Sequence, residues 1–118
     1  MTDTQRQIAR KLVKLLLEQD YMLSVWNGTW FVLTNSTKTD DVLAAMEQLN
    51  GFVSIEIDLV HQAGQHEPYL GNIDLTWSTT KPDIDITYNG PNLAEPFIEA
   101  IIDEVMEFAA NLTTEAAS

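Results

Sequence analysis

The sequence predicts an α+β fold: a five-stranded, mainly antiparallel sheet with helices packed on one face, in the order α-β-β-α-β-β-β-α. Three features point to it. Apolar residues recur at helical spacing near both ends of the chain and once in its first half. An Asn27-Gly28 pair separates two β-rich runs, the pattern of a tight hairpin. Three segments between residues 53 and 88 alternate apolar with polar side chains, the period of strands with one wet face. Strands and helices that segregate in this way belong to α+β rather than α/β architecture. With 118 residues, 45% of them hydrophobic, and three tryptophans, the chain can build one core and one domain.

Each element has its own signal. Thr2 or Thr4 caps a first helix running to about Glu18, with Ile8, Leu12, Leu15 and Leu16 inward and Val13 and Leu17 widening the stripe. Arg6, Arg10 and Lys14 make a basic stripe on its polar face. Residues 22–34 form the hairpin, and a two-residue type I′ turn sets Val25 opposite Trp30 and Leu23 opposite Val32. Met22, Trp26, Phe31 and Leu33 then line the other side, so the hairpin is covered on both faces or meets a partner. The polar cluster at 35–39 caps a short helix from Asp40 to about Leu49, which buries Val42, Leu43, Met46 and Leu49 and stops at Asn50-Gly51. Val53, Ile55, Ile57 and Leu59 mark the next strand, and residues 62–68 read as a loop. Ile73, Leu75 and Trp77, then Ile84, Ile86 and Tyr88, mark two more strands, and the three make an antiparallel meander. Asn92 with Glu95 caps a last helix in which Pro96 occupies the first turn. That helix runs to about Asn111 and buries Phe97, Ile98, Ile101, Ile102, Val105 and Phe108. Residues 113–118 are expected to fray.

Charge excludes more functions than it suggests. The formal net charge is −12, and it is spread unevenly: four of the six basic residues are Arg6, Arg10, Lys11 and Lys14. From Leu15 onward only Lys38 and Lys81 oppose seventeen acids, a formal charge of −15. Such a surface repels phosphate backbones and anionic lipid, and it attracts the basic surface of another protein. Direct nucleic-acid binding and membrane association are therefore not expected. No cysteine is present, which removes disulfides and thiolate zinc sites. With no signal-type apolar stretch at the start and no membrane-length apolar run, the expected location is cytoplasmic.

The candidate sites are acidic and aromatic. Glu95, Glu99, Asp103 and Glu107 follow one another at i+4 in the last helix, with Glu104 beside them. Like charges at this spacing cost about 0.2–0.5 kcal/mol per pair. A stripe that costs stability suits the docking of a basic partner; the alternatives are a solvated face, or pairing with Arg6, Arg10 and Lys14 within one chain or across a homodimer. Glu56, Asp58, Asp74, Asp83 and Asp85 lie on the wet strand faces. Four helix acids span about 18 Å, where duplex DNA carries about ten charges. The helix alone is thus too dilute for a DNA mimic, which would need helix and sheet acids on one surface. The strand acids could otherwise hold a hard cation, or serve as an acid/base pair, yet no EF-hand loop and no nucleophile accompany them. His61, His66 and Glu67 lack a metalloprotease arrangement and read as surface residues. No Gly-rich phosphate loop and no Gly-x-Ser-x-Gly turn occurs, and the sequons at Asn27, Asn35 and Asn111 read as chance. Trp26 and Phe31, near Met22, are either core-edge residues or the apolar anchor of an interface.

The run Ser24-Val25-Trp26-Asn27-Gly28, followed by Ser36-Thr37-Lys38-Thr39-Asp40 opening Val42-Leu43-Ala44-Ala45-Met46, resembles small acidic proteins of unknown function from phages and prophages of proteobacteria. The likeness covers residues 22–110, with Asn27 where those proteins usually have an acid and a departure at 50–70. It implies a mobile-element origin and intracellular action but no chemistry; because phage genomes encode small acidic proteins that disarm host enzymes, it also favours an inhibitor of a host protein. The expectation is a non-enzymatic acidic protein-binding domain without cofactor or metal. Its contacts are an apolar anchor at Trp26 and Phe31 and acids that meet a basic surface. A small acidic secretion or assembly chaperone and a carboxylate-based metal-binding protein are the alternatives.

Overall fold

The computed structural model describes residues 1–49, 51–59, 69–78, 80, 84–90 and 95–117. Helix α1 (Asp3–Glu18) starts with a capping box. The Thr2 hydroxyl accepts from the Gln5 amide at 3.1 Å, and the Gln5 side-chain oxygen accepts from the Thr2 amide at 2.9 Å. Gln5 is fully buried, and its amide nitrogen donates to the Ser78 carbonyl at 2.6 Å, tying the first turn to the sheet. After α1 the chain reverses through Asp20 at φ 60°, a left-handed position that Asp tolerates.

Strands β1 (Tyr21–Trp26), β2 (Phe31–Ser36), β3 (Phe52–Leu59), β4 (Tyr69–Trp77) and β5 (Ile84–Asn89) form one sheet in the order β2-β1-β3-β4-β5. Every neighbouring pair is antiparallel. Helix α2 (Thr39–Glu47) links β2 to β3 and lies against β1 and β2. Helix α3 (Glu95–Ala117) lies against β5 and α1, and α1 sits between the other two helices. The element order and the helices on one sheet face are as the sequence predicts.

The pleat divides the sheet. Val25, Ile55 and Ile73 pair side by side across β1, β3 and β4, as Leu23 does with Ile57 and Val53 with Leu75. All are fully buried against Ile8, Leu12 and Leu16 of α1, Val42 and Met46 of α2, and Ile98 and Val105 of α3. Full burial of one such side chain is worth about 1.5–3 kcal/mol, so this apolar layer fixes which sheet face the helices cover. Among the described residues no helix is long and apolar enough to cross a membrane.

Several details differ from expectation. The hairpin has a four-residue connection rather than a two-residue type I′ turn: Trp26 pairs with Phe31, Val25 with Leu33 and Leu23 with Ser36. The Asn27 side-chain oxygen accepts from the amides of Thr29 (2.8 Å) and Trp30 (2.9 Å), a local closure that competes with the I′ backbone. Of the turn pair only Gly28 has positive φ, at 101°, whereas I′ needs two such residues. Trp30 therefore stands at the loop tip, 61% exposed, and Leu33 takes the place opposite Val25. Phe97 is 69% exposed: it lies beside the buried stripe of Ile98, Ile101, Ile102 and Val105, not in it. Helix α3 runs on to Ala117, since nothing after Pro96 breaks it. Residue Lys38 caps α2 without a side-chain bond, although Ser36 Oγ accepts the Lys38 amide at 3.2 Å. His61, His66, Glu67, the 62–68 loop, Asp83 and the Asn92 cap lie outside the described residues.

A candidate partner-binding face on the uncovered side of the sheet

The side of the sheet opposite the helices carries a mixed lattice. Trp26, Ser54, Asp74 and Thr87 form one cross-strand row, and Ser24, Glu56, Asn72 and Asn89 the next. Met22 pairs with Asp58 beyond them. At the hairpin end the rings of Trp26 and Phe31 meet edge to face, with centroids 4.8 Å apart and planes at 66°. Such a pair is worth about 0.5–1.5 kcal/mol beyond its buried area. Even so, Phe31 stays 41% exposed, and Phe52, two residues before Ser54 on β3, stays 38% exposed. Trp26, Phe31, Ser54, Glu56 and Asn72 line an open depression of about 310 Å³.

The polar groups here are not alike. The Asn72 amide nitrogen donates to Ser54 Oγ (3.1 Å) and Asp74 Oδ1 (3.0 Å), and Asn89 Nδ2 reaches Asp74 Oδ2 at 3.5 Å. Asp74 is thus held by neutral amides. Among the described residues Glu56 and Asp58 have no hydrogen-bond or ion-pair partner for their carboxylates. Asp58 is 9% exposed, and burial pushes its carboxyl above the ordinary range. Burial raises Glu56 too, and the negative charge of Asp58 adds to it. Both carboxylates are short of solvation and of counter-charge. None of the five strands contains a Lys or Arg.

The predicted acidic residues do not form one surface. Glu95, Glu99, Asp103, Glu104 and Glu107 belong to α3, on the helical side, whereas Glu56, Asp58 and Asp74 lie on the uncovered side and the sheet separates the two groups. Asp85 is exposed near the β5 edge, opposite Thr76. The merged acid surface that a DNA mimic would need is therefore not assembled from the described residues. The alternative in which Arg6, Arg10 and Lys14 pair with the α3 stripe within one chain is not made among the described residues. Arg6 binds Glu47 and Asp3, and Arg10 reaches Asp40 at 3.4 Å. Those two arginines flank the α2 side of the buried α1 stripe. Lys11, on the α3 side, reaches Glu104 at 3.7 Å and lies 5.7 Å from the centre of the Phe108 ring. Among the described residues Glu95, Glu99, Asp103 and Glu107 have no ion pair.

Sequence reasoning brought Trp26, Phe31 and Glu56 to notice but missed Ser54, Phe52 and Asn72. Asn72 precedes the expected start of its strand because Gly71 interrupts the strand pattern. Gly71 is in fact where the Tyr88 ring crosses β4: a Cβ there would come within 2.9 Å of Tyr88 Cε1 and 2.6 Å of the Asn89 carbonyl. The Tyr88 hydroxyl then donates to the Leu70 carbonyl at 2.6 Å. Among the described residues no three His, Asp or Glu side chains converge as metal ligands. No protein-family model, curated protein or solved structure matches this chain, so the character of the face rests on its own geometry and charge.

Proposed function

We propose that this chain is a non-catalytic protein-binding domain that meets a basic partner with the uncovered face of its sheet. Trp26 and Phe31 are the anchor, Glu56 and Asp74 are the selective rim, and the buried Asp58 adds negative potential behind them. The observation that carries this reading is the contrast between the two sheet faces. One is sealed by three helices; the other leaves aromatic rings in solvent beside carboxylates that have no cation. Exposed aromatic clusters with polar rims mark interaction surfaces, and Trp is enriched among residues that dominate binding energy. The acids contribute encounter rate and partner choice more than affinity. The α3 stripe strengthens the long-range attraction from the other side of the molecule. Resemblance to small phage and prophage proteins favours a host protein in the cytoplasm as the partner, inhibited by occupation of its basic surface.

The test is capture from bacterial lysate at low and high salt, comparing the wild type with a Trp26→Ala/Phe31→Ala variant and a Trp30→Ala control. Loss of a hot-spot pair should weaken capture by about 30-fold or more, while Trp30→Ala captures as the wild type does. A double variant that keeps its circular dichroism spectrum and captures the same partner equally well would overturn the reading.

A further inference from the structure

We propose that the depression beside Trp26 receives a cationic side chain, arginine above all, from an extended basic segment of the partner. This rests on the sheet face being the binding surface and names what the face recognises. Two walls make the site. One is the Trp26–Phe31 pair, whose edge-to-face packing leaves ring surface uncovered. The other is Glu56, which lines the same depression and has no counter-ion among the described residues. Ser54 and Asn72 form the floor between them, fixed by their mutual hydrogen bond.

Charge selects among occupants. An uncharged apolar group would desolvate Glu56 further and leave its charge unpaired, which is unfavourable. A second copy of this face would bring Glu56, Asp58 and Asp74 against their own kind in a molecule of net charge −12. An anionic ligand meets the same repulsion. A cation gains from both walls, by attraction to an aromatic face and by pairing with a carboxylate. Arginine fits better than lysine, because its planar guanidinium can stack on the indole while its N–H edge is presented to Glu56. Asp58, behind Glu56 on the same strand face, deepens the negative potential without lining the depression. Binding a cation stabilises ionised Glu56, so affinity should fall as pH is lowered toward protonation of that carboxyl.

The test titrates isotopically labelled full-length protein at low salt with two capped pentapeptides, Thr-Val-Arg-Val-Thr and the same peptide with citrulline in place of arginine. Citrulline keeps the shape and removes the charge. The arginine peptide should shift the Trp26 indole N–H and the amides of Ser54, Glu56 and Asn72, and should bind at least tenfold more tightly than the citrulline peptide. Glu56→Gln should remove most of that tenfold preference, by weakening the binding of the arginine peptide. Equal affinities for the two peptides, a preference that survives Glu56→Gln, shifts confined to α3, or no binding at millimolar peptide would each overturn the cation pocket. The broader reading fails separately, when capture of the lysate partner survives the Trp26→Ala/Phe31→Ala change.

Discussion

Gly71 shows how a single missing side chain shapes this sheet. Its φ of 117°, and the mere 2.6 Å that would separate an added Cβ from the Asn89 carbonyl, oppose any substitution. Gly71→Ala should destabilise the fold by about 2–4 kcal/mol in urea denaturation, from backbone strain and overpacking against β5 together. An unchanged midpoint would mean that Tyr88 does not cross the strand there. Glu56 and Asp58 make the opposite kind of prediction, in which native carboxyls cost stability. Their pKa values lie above the ordinary 4.5 and 3.8, so the native state holds protons more tightly than the unfolded chain. Their ionisation therefore weakens the fold as pH rises through the interval above those ordinary values, and the penalty persists at neutral pH. Glu56→Gln should hold or raise the melting temperature at pH 7 and flatten its fall as pH rises above the ordinary carboxyl value of 4.5. A variant that melts lower at pH 7 than the wild type would mean that an unseen favourable contact holds the Glu56 carboxylate. At this scale Glu56 was visible in the sequence as a polar residue between Ile55 and Ile57. Its lack of a counter-ion was not, because that depends on which cations the folded chain brings near.

Among the elements, the best-specified is α1, whose capping box and apolar stripe both appear in the letters. Thr2→Ala should cost about 1 kcal/mol, roughly 4 °C in melting temperature, through loss of the bond to the Gln5 amide. Because Gln5 also reaches Ser78, Gln5→Ala should cost more than the cap alone; equal losses would show that the tie to Ser78 contributes nothing. The acidic face of α3 is a standing cost. Glu107 stands four residues beyond Asp103, a like-charge pair at i+4, so Glu107→Lys should gain a few tenths of a kcal/mol. If the same change leaves partner capture intact, the stripe is a solvated face and not part of the interface. Element order, helix stripes and strand alternation were legible because each is a local period imposed by a single buried side. Hairpin register was not. It depended on the Asn27 carboxamide taking the amides of Thr29 and Trp30, a side-chain choice that competes with the turn that Asn-Gly most often makes. That choice is also what places Phe31 directly beside Trp26, so the aromatic wall was foreseen in its members but not in its pairing.

At the scale of the whole molecule, the sheet acts as a partition. The basic residues of α1 are largely spent within the helical layer: Arg6 and Arg10 hold α2, and Lys11 bridges to α3. They do not reach the uncovered sheet face, and they leave most of the α3 stripe unopposed. The net charge of −12 consequently produces self-repulsion within the fold and, on the proposed function, attraction toward a basic partner. Monovalent salt should drive these effects in opposite directions. Raising NaCl from about 10 mM to about 150 mM shortens the screening length from about 30 Å to about 8 Å. Repulsion among the α3 acids, and between them and the strand acids across the sheet, then weakens, so the melting temperature should rise. The short ion pairs of α1 lose little, being contacts within a few ångströms. If the proposed function holds, the rate of association with a basic partner should fall over the same interval, while dissociation, set by the proposed Trp26 and Phe31 contacts, changes little. Calorimetry and surface-binding kinetics across one salt series measure both responses. A melting temperature that falls with salt would show that attraction, not repulsion, dominates the native charge distribution. An association rate indifferent to salt would leave the acids no part in finding the partner.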